Sequence, residues 1–299
     1  MKVTRFHIEA STYCNARCPG CPRNIYGYNV KDWFNQTHLA PKQYESIRNQ
    51  YQDLDFANFN GGLGDPMMNP HIVELIEITG DCVVQVTTNG SIGSKKIWEQ
   101  MANLQTHVVF SIDGLEDTNH LYRQDVEWQK IMDRVKWFIS SGGKADWKWV
   151  PFKHNAHQID EARELSKQLG FEGFYTDAQG RDDFPALTKE GEVSHWIQPD
   201  GRPARSQVYD AKADIELLTK TKKYLPETGK RFEISCEHLK GDIYIMADGT
   251  VTPCCYHGTR IADREPVKLD GFKDLRKTWN TDNCDPTCAN NCGKLITSF

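Results

Sequence analysis

A chain of 299 residues is long enough for one large domain, or one with a small companion, and for a sizeable core. Its formal net charge of −5 gives no electrostatic pull toward nucleic acid or anionic membranes. No charged-then-apolar leader and no apolar run of roughly 18 residues is present, and ten cysteines without a leader point to a reducing, cytoplasmic setting where clustered thiols bind metal.

Residues 4–10 alternate in polarity and predict the first strand. Cys14, Cys18 and Cys21 follow it directly, with three and then two residues between them. A tight loop of this kind can aim three thiolates at three corners of an iron–sulfur cube, leaving the fourth iron open. Zinc sites also use close cysteines. Residues 24–40 read as a polar, aromatic loop able to cover the site. Pro41 opens a helix over 41–51. Residues 55–60 form a short strand that ends in Gly61, Gly62, Leu63, Gly64, Asp65 and Pro66. A helix over 70–79 places Ile72, Leu75 and Ile76 on one face. The run 82–88 is a buried strand that holds Cys82 in its apolar middle and ends at Asn89. Helix 95–104 and strand 107–112 follow, the strand ending in Ser111 and Asp113. A helix over 128–140 stops at Gly142 and Gly143. Strand 147–152, helix 158–169 and strand 173–176 complete the series.

Six strand–helix alternations with short connections force parallel strands and right-handed crossovers. The fold class is therefore α/β, a partial (β/α)6 barrel over residues 1–177. In such barrels functional groups sit on the loops after the strands. That is where the cysteine triplet, the Gly61–Pro66 turn, Asn89, Ser111 and Asp113 fall. Residues 178–235 read as a polar connector with one amphipathic helix through Val208, Ala211, Ile215 and Leu218.

Residues 236–299 form a third segment with six cysteines. A hairpin over 241–253, turning at Asp248 and Gly249, brings Cys236 and Cys254 together. Two of Cys284, Cys288 and Cys292 would complete a four-thiolate site, with Cys255 beside it. Such a site suits an iron–sulfur cluster or a structural zinc ion. His71, His107, His154, His157 and His257 show no paired ligand spacing and read as surface or capped histidines.

The Cys-x3-Cys-x2-Cys triplet resembles the signature of the radical SAM superfamily. The resemblance implies a [4Fe-4S] cluster whose open iron chelates S-adenosylmethionine (SAM). Gly61, Gly62, Asp65 and Pro66 resemble the family's Gly-Gly-Glu-Pro element, which holds the methionyl amine; here a residue is inserted and Asp replaces Glu. Asn89, and Ser111 with Asp113, resemble the third- and fourth-strand ends of the family's peptide-modifying members, which implies that Ser111 and Asp113 contact the SAM ribose or face substrate; Asn155 stands where the family often has a polar SAM contact. The stretch from His120 to Arg123 resembles a segment near the active site, and equally a solvated helix start. Gly20 stands where the family usually has an aromatic residue. Cys236, Gly249 and Cys254 resemble the entry motif of SPASM and twitch domains, a small hairpin and helix unit carrying one auxiliary [4Fe-4S] cluster here. The resemblance implies reductive cleavage of SAM to a 5′-deoxyadenosyl radical, with a one-electron donor such as flavodoxin or ferredoxin. The substrate it favours is a peptide side chain, oxidised or cross-linked, with a small polar molecule or a nucleoside as the alternative. A non-enzymatic iron–sulfur or zinc protein is the reading from another class.

Overall fold

The computed structural model describes residues 2–32, 34–177, 183–200, 232–259, 269–279, 281 and 284–295. The expected α/β alternation is present. The strands are β1 (Arg5–Ile8), β2 (Phe56–Asn60), β3 (Val83–Thr88), β4 (His107–Ser111), β5 (Lys144–Trp149) and β6 (Gly173–Thr176). Between them run α1 (Pro41–Arg48), α2 (Ile72–Thr79), α3 (Lys95–Asn103), the short α4 (Asn119–Tyr122), α5 (Trp128–Ser140) and α6 (Ile159–Leu169). Each neighbouring pair from β1 to β6 is parallel.

Alternation within the strands decides which face each side chain joins. Ile8, Phe59, Val86, Phe110 and Trp147 are fully buried, in successive strands, under the helices. Tyr44 of α1, Leu75 of α2, Trp98 of α3 and Phe138 of α5 meet them from the helix layer. The Trp98 ring stacks on Phe110 at 5.4 Å, and its Nε1 donates to the Ile92 carbonyl at 2.9 Å. The opposite face is more polar, carrying His7, Asn58, Gln85, Thr87 and Lys148.

The fifth strand starts three residues earlier than the sequence suggests. The Gly143 amide donates to the Phe138 carbonyl at 3.0 Å, and Gly142 adopts φ +85°. The helix is thus closed at once, and the chain enters the sheet at Lys144. Cys82 is half-buried and precedes β3; it is not in mid-strand.

Three further pairings have no counterpart in the sequence reading. Within the stretch read as a connector, β7 (Phe184–Leu187) and β8 (Val193–Ile197) form an antiparallel hairpin. The amphipathic helix expected there lies outside the described residues. The C-terminal hairpin, β10 (Asp242–Ile245) with β11 (Val251–Thr252), forms as expected, but it joins the main sheet. Strand β10 lies parallel to β1, so the sheet has eight strands in the order β11-β10-β1-β2-β3-β4-β5-β6. Strand β9 (Phe232–Ile234) pairs antiparallel with β12 (Gly293–Leu295). Among the described residues, α7 (Cys255–Thr259), α8 (Phe272–Lys277) and α9 (Pro286–Cys292) complete this end. No described helix is long and apolar enough to cross a membrane.

Candidate functional site

A cavity of about 260 Å³ opens at the carboxyl ends of the parallel strands. Cys14, Cys18 and Cys21 line one wall. Their loop is shaped by its own backbone. The Cys21 amide donates to the Cys18 carbonyl at 3.0 Å, and Arg23 Nη2 donates to the Ala16 carbonyl at 2.9 Å. Asn89 Nδ2 spans from β3 to Asn15 Oδ1 at 3.0 Å and lies 3.8 Å from Cys14 Sγ. Burial pushes the Cys14 and Cys18 thiols upward; Asp65 and Cys18 add to the rise at Cys14, and Cys21 and Asp113 add to it at Cys18, where Arg123 opposes it. Such thiols ionise readily only when a cation takes the proton's place. Three thiols on one loop beside open space fit a metal cluster with one free corner.

The opposite wall is the Gly61–Asp65 turn. A Cβ at Gly61 would sit 1.9 Å from the Gly64 carbonyl oxygen, and one at Gly64 would sit 2.1 Å from that of Ser11. Both glycines are therefore fixed by close backbone approach. Pro66 opens a single 3₁₀ turn and is buried away from the cavity. The Asp65 carboxylate is 3% exposed and accepts from Thr88 Oγ1 at 2.8 Å, the Asn89 amide at 2.8 Å and the Met67 amide at 3.0 Å. Asp65 thus ties β2's turn to the end of β3. Burial raises its carboxyl against the pull of these donors. Asp65→Ala leaves the donors unsatisfied. It is expected to lower unfolding stability by about 2–4 kcal/mol in a denaturant titration, with Asp65→Asn recovering part of the loss.

Glu9, at the end of β1, has no role in the sequence reading. It is 1% exposed, and its carboxylate accepts from the Leu63 and Gly64 amides, both at 3.0 Å, and from the Tyr244 hydroxyl at 2.8 Å. Burial pushes its carboxyl up to about 8, against the opposing bonds. The signal in the sequence was a carboxylate within an apolar strand end, Ile8-Glu9-Ala10.

The remaining expected site residues divide. Asn89 and Ser111 line the cavity. Asp113 and Asn155 do not; they brace the strand ends beneath it. Fully buried Asp113 accepts from the Val150 amide at 2.7 Å and from Arg123 Nε at 2.7 Å. Asn155 Nδ2 donates to the Asp113 carbonyl at 2.7 Å, while its Oδ1 accepts from the Phe152 amide at 2.7 Å. Arg123 itself lines the cavity, with Nη1 at 3.8 Å from Cys18 Sγ. Burial opposes its charge, but Asp113, Cys18 and Tyr122 together outweigh burial. Lys148, from the polar face of β5, completes this wall and pairs with Asp177 at 2.8 Å. At Gly20 a Cβ would meet Phe184 Cζ at 2.8 Å and Tyr122 Oη at 3.0 Å, so a ring from β7 already fills that space.

A second cavity, about 190 Å³, lies in the C-terminal region. Cys236, Cys254, Cys255, Cys288 and Cys292 line it. Cys284 does not: it is 1% exposed, and its Sγ donates to the Asp285 carbonyl at 3.8 Å. The β9–β12 pairing explains the convergence, since the Ser235 amide donates to the Cys292 carbonyl at 3.1 Å. Burial pushes the Cys254 thiol up to about 12 and raises Cys288; Cys255 and Cys236 add to the rise at Cys254, and Asp285, Cys254 and Cys236 add to it at Cys288. His257 is buried, not surface-placed as expected, and its Nε2 lies 3.5 Å from Cys288 Sγ. With Asp285 it forms a group whose ligand atoms all lie within 4.8 Å. In a chain with Cys14, Cys18 and Cys21 replaced by alanine, Cys284→Ala is expected to keep the parent's metal content. Cys254→Ala is expected to bind at least ~10–100-fold more weakly by metal analysis.

The comparisons with known proteins agree with this geometry. The profile of the Radical SAM superfamily matches residues 8–166. No curated protein matches in sequence. Among solved structures, Streptococcus suis SuiB bound to S-adenosylmethionine is similar, with 18% identity and a TM-score of 0.60; the match covers 97% of this chain and 67% of SuiB. SuiB bound to its precursor peptide SuiA gives 17% identity and a TM-score of 0.58, covering 94% of this chain and 65% of that one. Native anSMEcpe with bound AdoMet and Kp18Cys peptide gives 13% identity and a TM-score of 0.55, covering 95% of this chain and 88% of that one. The chain spans about two thirds of SuiB's length, and at these identities the likeness is one of fold. With more than half of its length matched by the family profile, the chain belongs to the radical SAM superfamily.

Proposed function

We propose that the chain is a radical SAM enzyme that oxidises or cross-links a peptide side chain. One observation carries the reading: three free thiols face one cavity with a glycine turn and polar strand ends opposite them. Cys14, Cys18 and Cys21 would hold a [4Fe-4S] cluster, and the Gly61–Asp65 turn with Asn89 and Ser111 would hold SAM. Together these groups supply, when bound and reduced, a 5′-deoxyadenosyl radical that takes hydrogen from the substrate. The chain's own part is to seat and shield them. Arg123 places a positive charge beside Cys18, which favours the more negative, reduced state of whatever metal that sulfur binds. Cys236, Cys254, Cys288 and Cys292 would hold one auxiliary [4Fe-4S] cluster. The ten free cysteines suit a reducing compartment such as the cytoplasm, where flavodoxin or ferredoxin can donate the electron. The peptide reading is supported by SuiB and anSMEcpe, both solved with bound peptides.

The test is deuterium transfer. Reconstituted protein, SAM and a strong reductant are incubated with deuterated candidate peptides or with a deuterated pool of small polar metabolites. The expected result is label in 5′-deoxyadenosine from a peptide. Label only from the metabolites would favour radical dehydrogenation of a small molecule, and no 5′-deoxyadenosine at all would reject the enzyme.

A further inference from the structure

One side chain touches the machinery of both cavities. The Tyr244 ring, on β10, lines the C-terminal cysteine cavity beside His7, the two rings meeting edge to face at 4.8 Å. Its hydroxyl leaves that cavity and donates to Glu9 Oε2 at 2.8 Å. The same Oε2 accepts from the Leu63 amide, and Oε1 accepts from the Gly64 amide. Leu63 and Gly64 belong to the turn that forms the SAM-side wall. The Glu9 amide in turn donates to the Ile245 carbonyl at 2.8 Å, so backbone and side chain bind the same two strands. Tyr244 and Glu9 are each 1% exposed, so water cannot stand in for a lost partner.

We infer that Tyr244 is a positioning residue that couples the two sites, so that metal held by the C-terminal cysteines sets the Gly62–Gly64 turn for SAM. This rests on the reading of the first cavity as the SAM site. The physical sequence is short. Strand β10 runs from just after Cys236 toward Cys254, by way of β11. A metal bound by these cysteines clamps the hairpin against β1 and fixes the Tyr244 ring. The hydroxyl then orients the Glu9 carboxylate, and the carboxylate orients two turn amides. Without the metal the hairpin loosens, and the carboxylate loses the donor that fixes its rotation. By thermodynamic reciprocity, SAM bound at the turn tightens the cysteine site by the same factor.

The experiment is a double-mutant cycle on the full-length, anaerobically reconstituted chain, read as the SAM dissociation constant by calorimetry. Tyr244→Phe keeps the ring and removes only the hydroxyl. It is expected to weaken SAM binding about 5–10-fold, the lower end of the range for a coupling of this kind. Cys254→Ala is expected to weaken it by a similar factor, and the double variant no further than either one. Hydrogen exchange at the Leu63 and Gly64 amides is expected to quicken in Tyr244→Phe. Should Cys254→Ala not fold, Glu9→Gln combined with Tyr244→Phe provides the second cycle, again with losses that do not add. Wild-type affinity in Tyr244→Phe, or losses that simply add, would overturn the inference alone. A wild-type chain that takes up no SAM would overturn the proposed function as well.

Discussion

Cys18→Ala is expected to abolish 5′-deoxyadenosine formation, leaving only the rate seen without protein. Cys18 is the most buried of the three loop cysteines, the others being half-buried. Its carbonyl also receives the Cys21 amide that closes the loop. Two thiolates cannot hold three corners of a cube, so iron at this site should fall with the activity. Iron at the C-terminal site should persist, because no side chain of the first loop lines that cavity. Cys82→Ala is the matched control. It removes a thiol at the entry to β3, away from both cavities, and is expected to keep the parent's iron and rate. Iron analysis and chromatography of the nucleoside product check both. Undiminished product from Cys18→Ala would remove the triplet from the mechanism.

Arg123→Ala is expected to be the most destabilising single change at the site, costing about 3–5 kcal/mol of unfolding free energy. Asp113 has no exposed side-chain surface, and Arg123 Nε is its charged partner at 2.7 Å. Deleting the guanidinium leaves a carboxylate in a dry interior beneath the ends of β4 and β5. Asp113→Asn in the same chain should restore part of the loss, because an amide oxygen can still accept from the Val150 amide without carrying charge. A denaturant titration of the apo chain separates this cost from any effect on cluster binding. Equal stability of Arg123→Ala and wild type would show that the pair contributes nothing.

Much of the architecture was legible because it rests on local periodicity. Helix faces such as Ile72, Leu75 and Ile76, and the apolar run of β3, announce themselves within a few residues. The meeting of the cysteine triplet at one cavity was legible for the same reason: it follows from the spacing. The fifth strand was misplaced because residues 147–152 are richer in aromatic and β-branched residues than 144–146. The stop signal at Gly142 and Gly143 is what sets the true start. Asp113 and Asn155 were read at the right strand ends but with the wrong direction, since spacing does not say whether a polar side chain turns into a cavity or under it. Glu9, Arg123 and Tyr244 depend on partners far along the chain. Cys18 and Arg123 are 105 residues apart, and no local pattern marks the pair. The β7–β8 hairpin was hidden by Pro185 and by charged flanks that read as a linker.

The parallel pairing of β10 with β1 puts an early strand inside a sheet that closes only when a much later strand arrives. As the chain leaves the ribosome, β1 can pair with β2 early, but its other edge stays open until residues 242–245 emerge. The Glu9–Tyr244 bond joins positions 235 apart. Until β10 emerges, the nascent sheet therefore carries a bare strand edge next to the cysteine loop, the kind of edge that recruits foreign strands. Closing it is a non-local step and hence a slow one. Protein cut short before β10 is left with that edge open and with the Glu9 carboxylate lacking its tyrosine. The cell's quality-control machinery would meet such fragments as sticky half-sheets. Yield of this protein should depend on chaperone supply in the interval between synthesis of β1 and synthesis of β10 more than on anything that happens at the first cysteine loop.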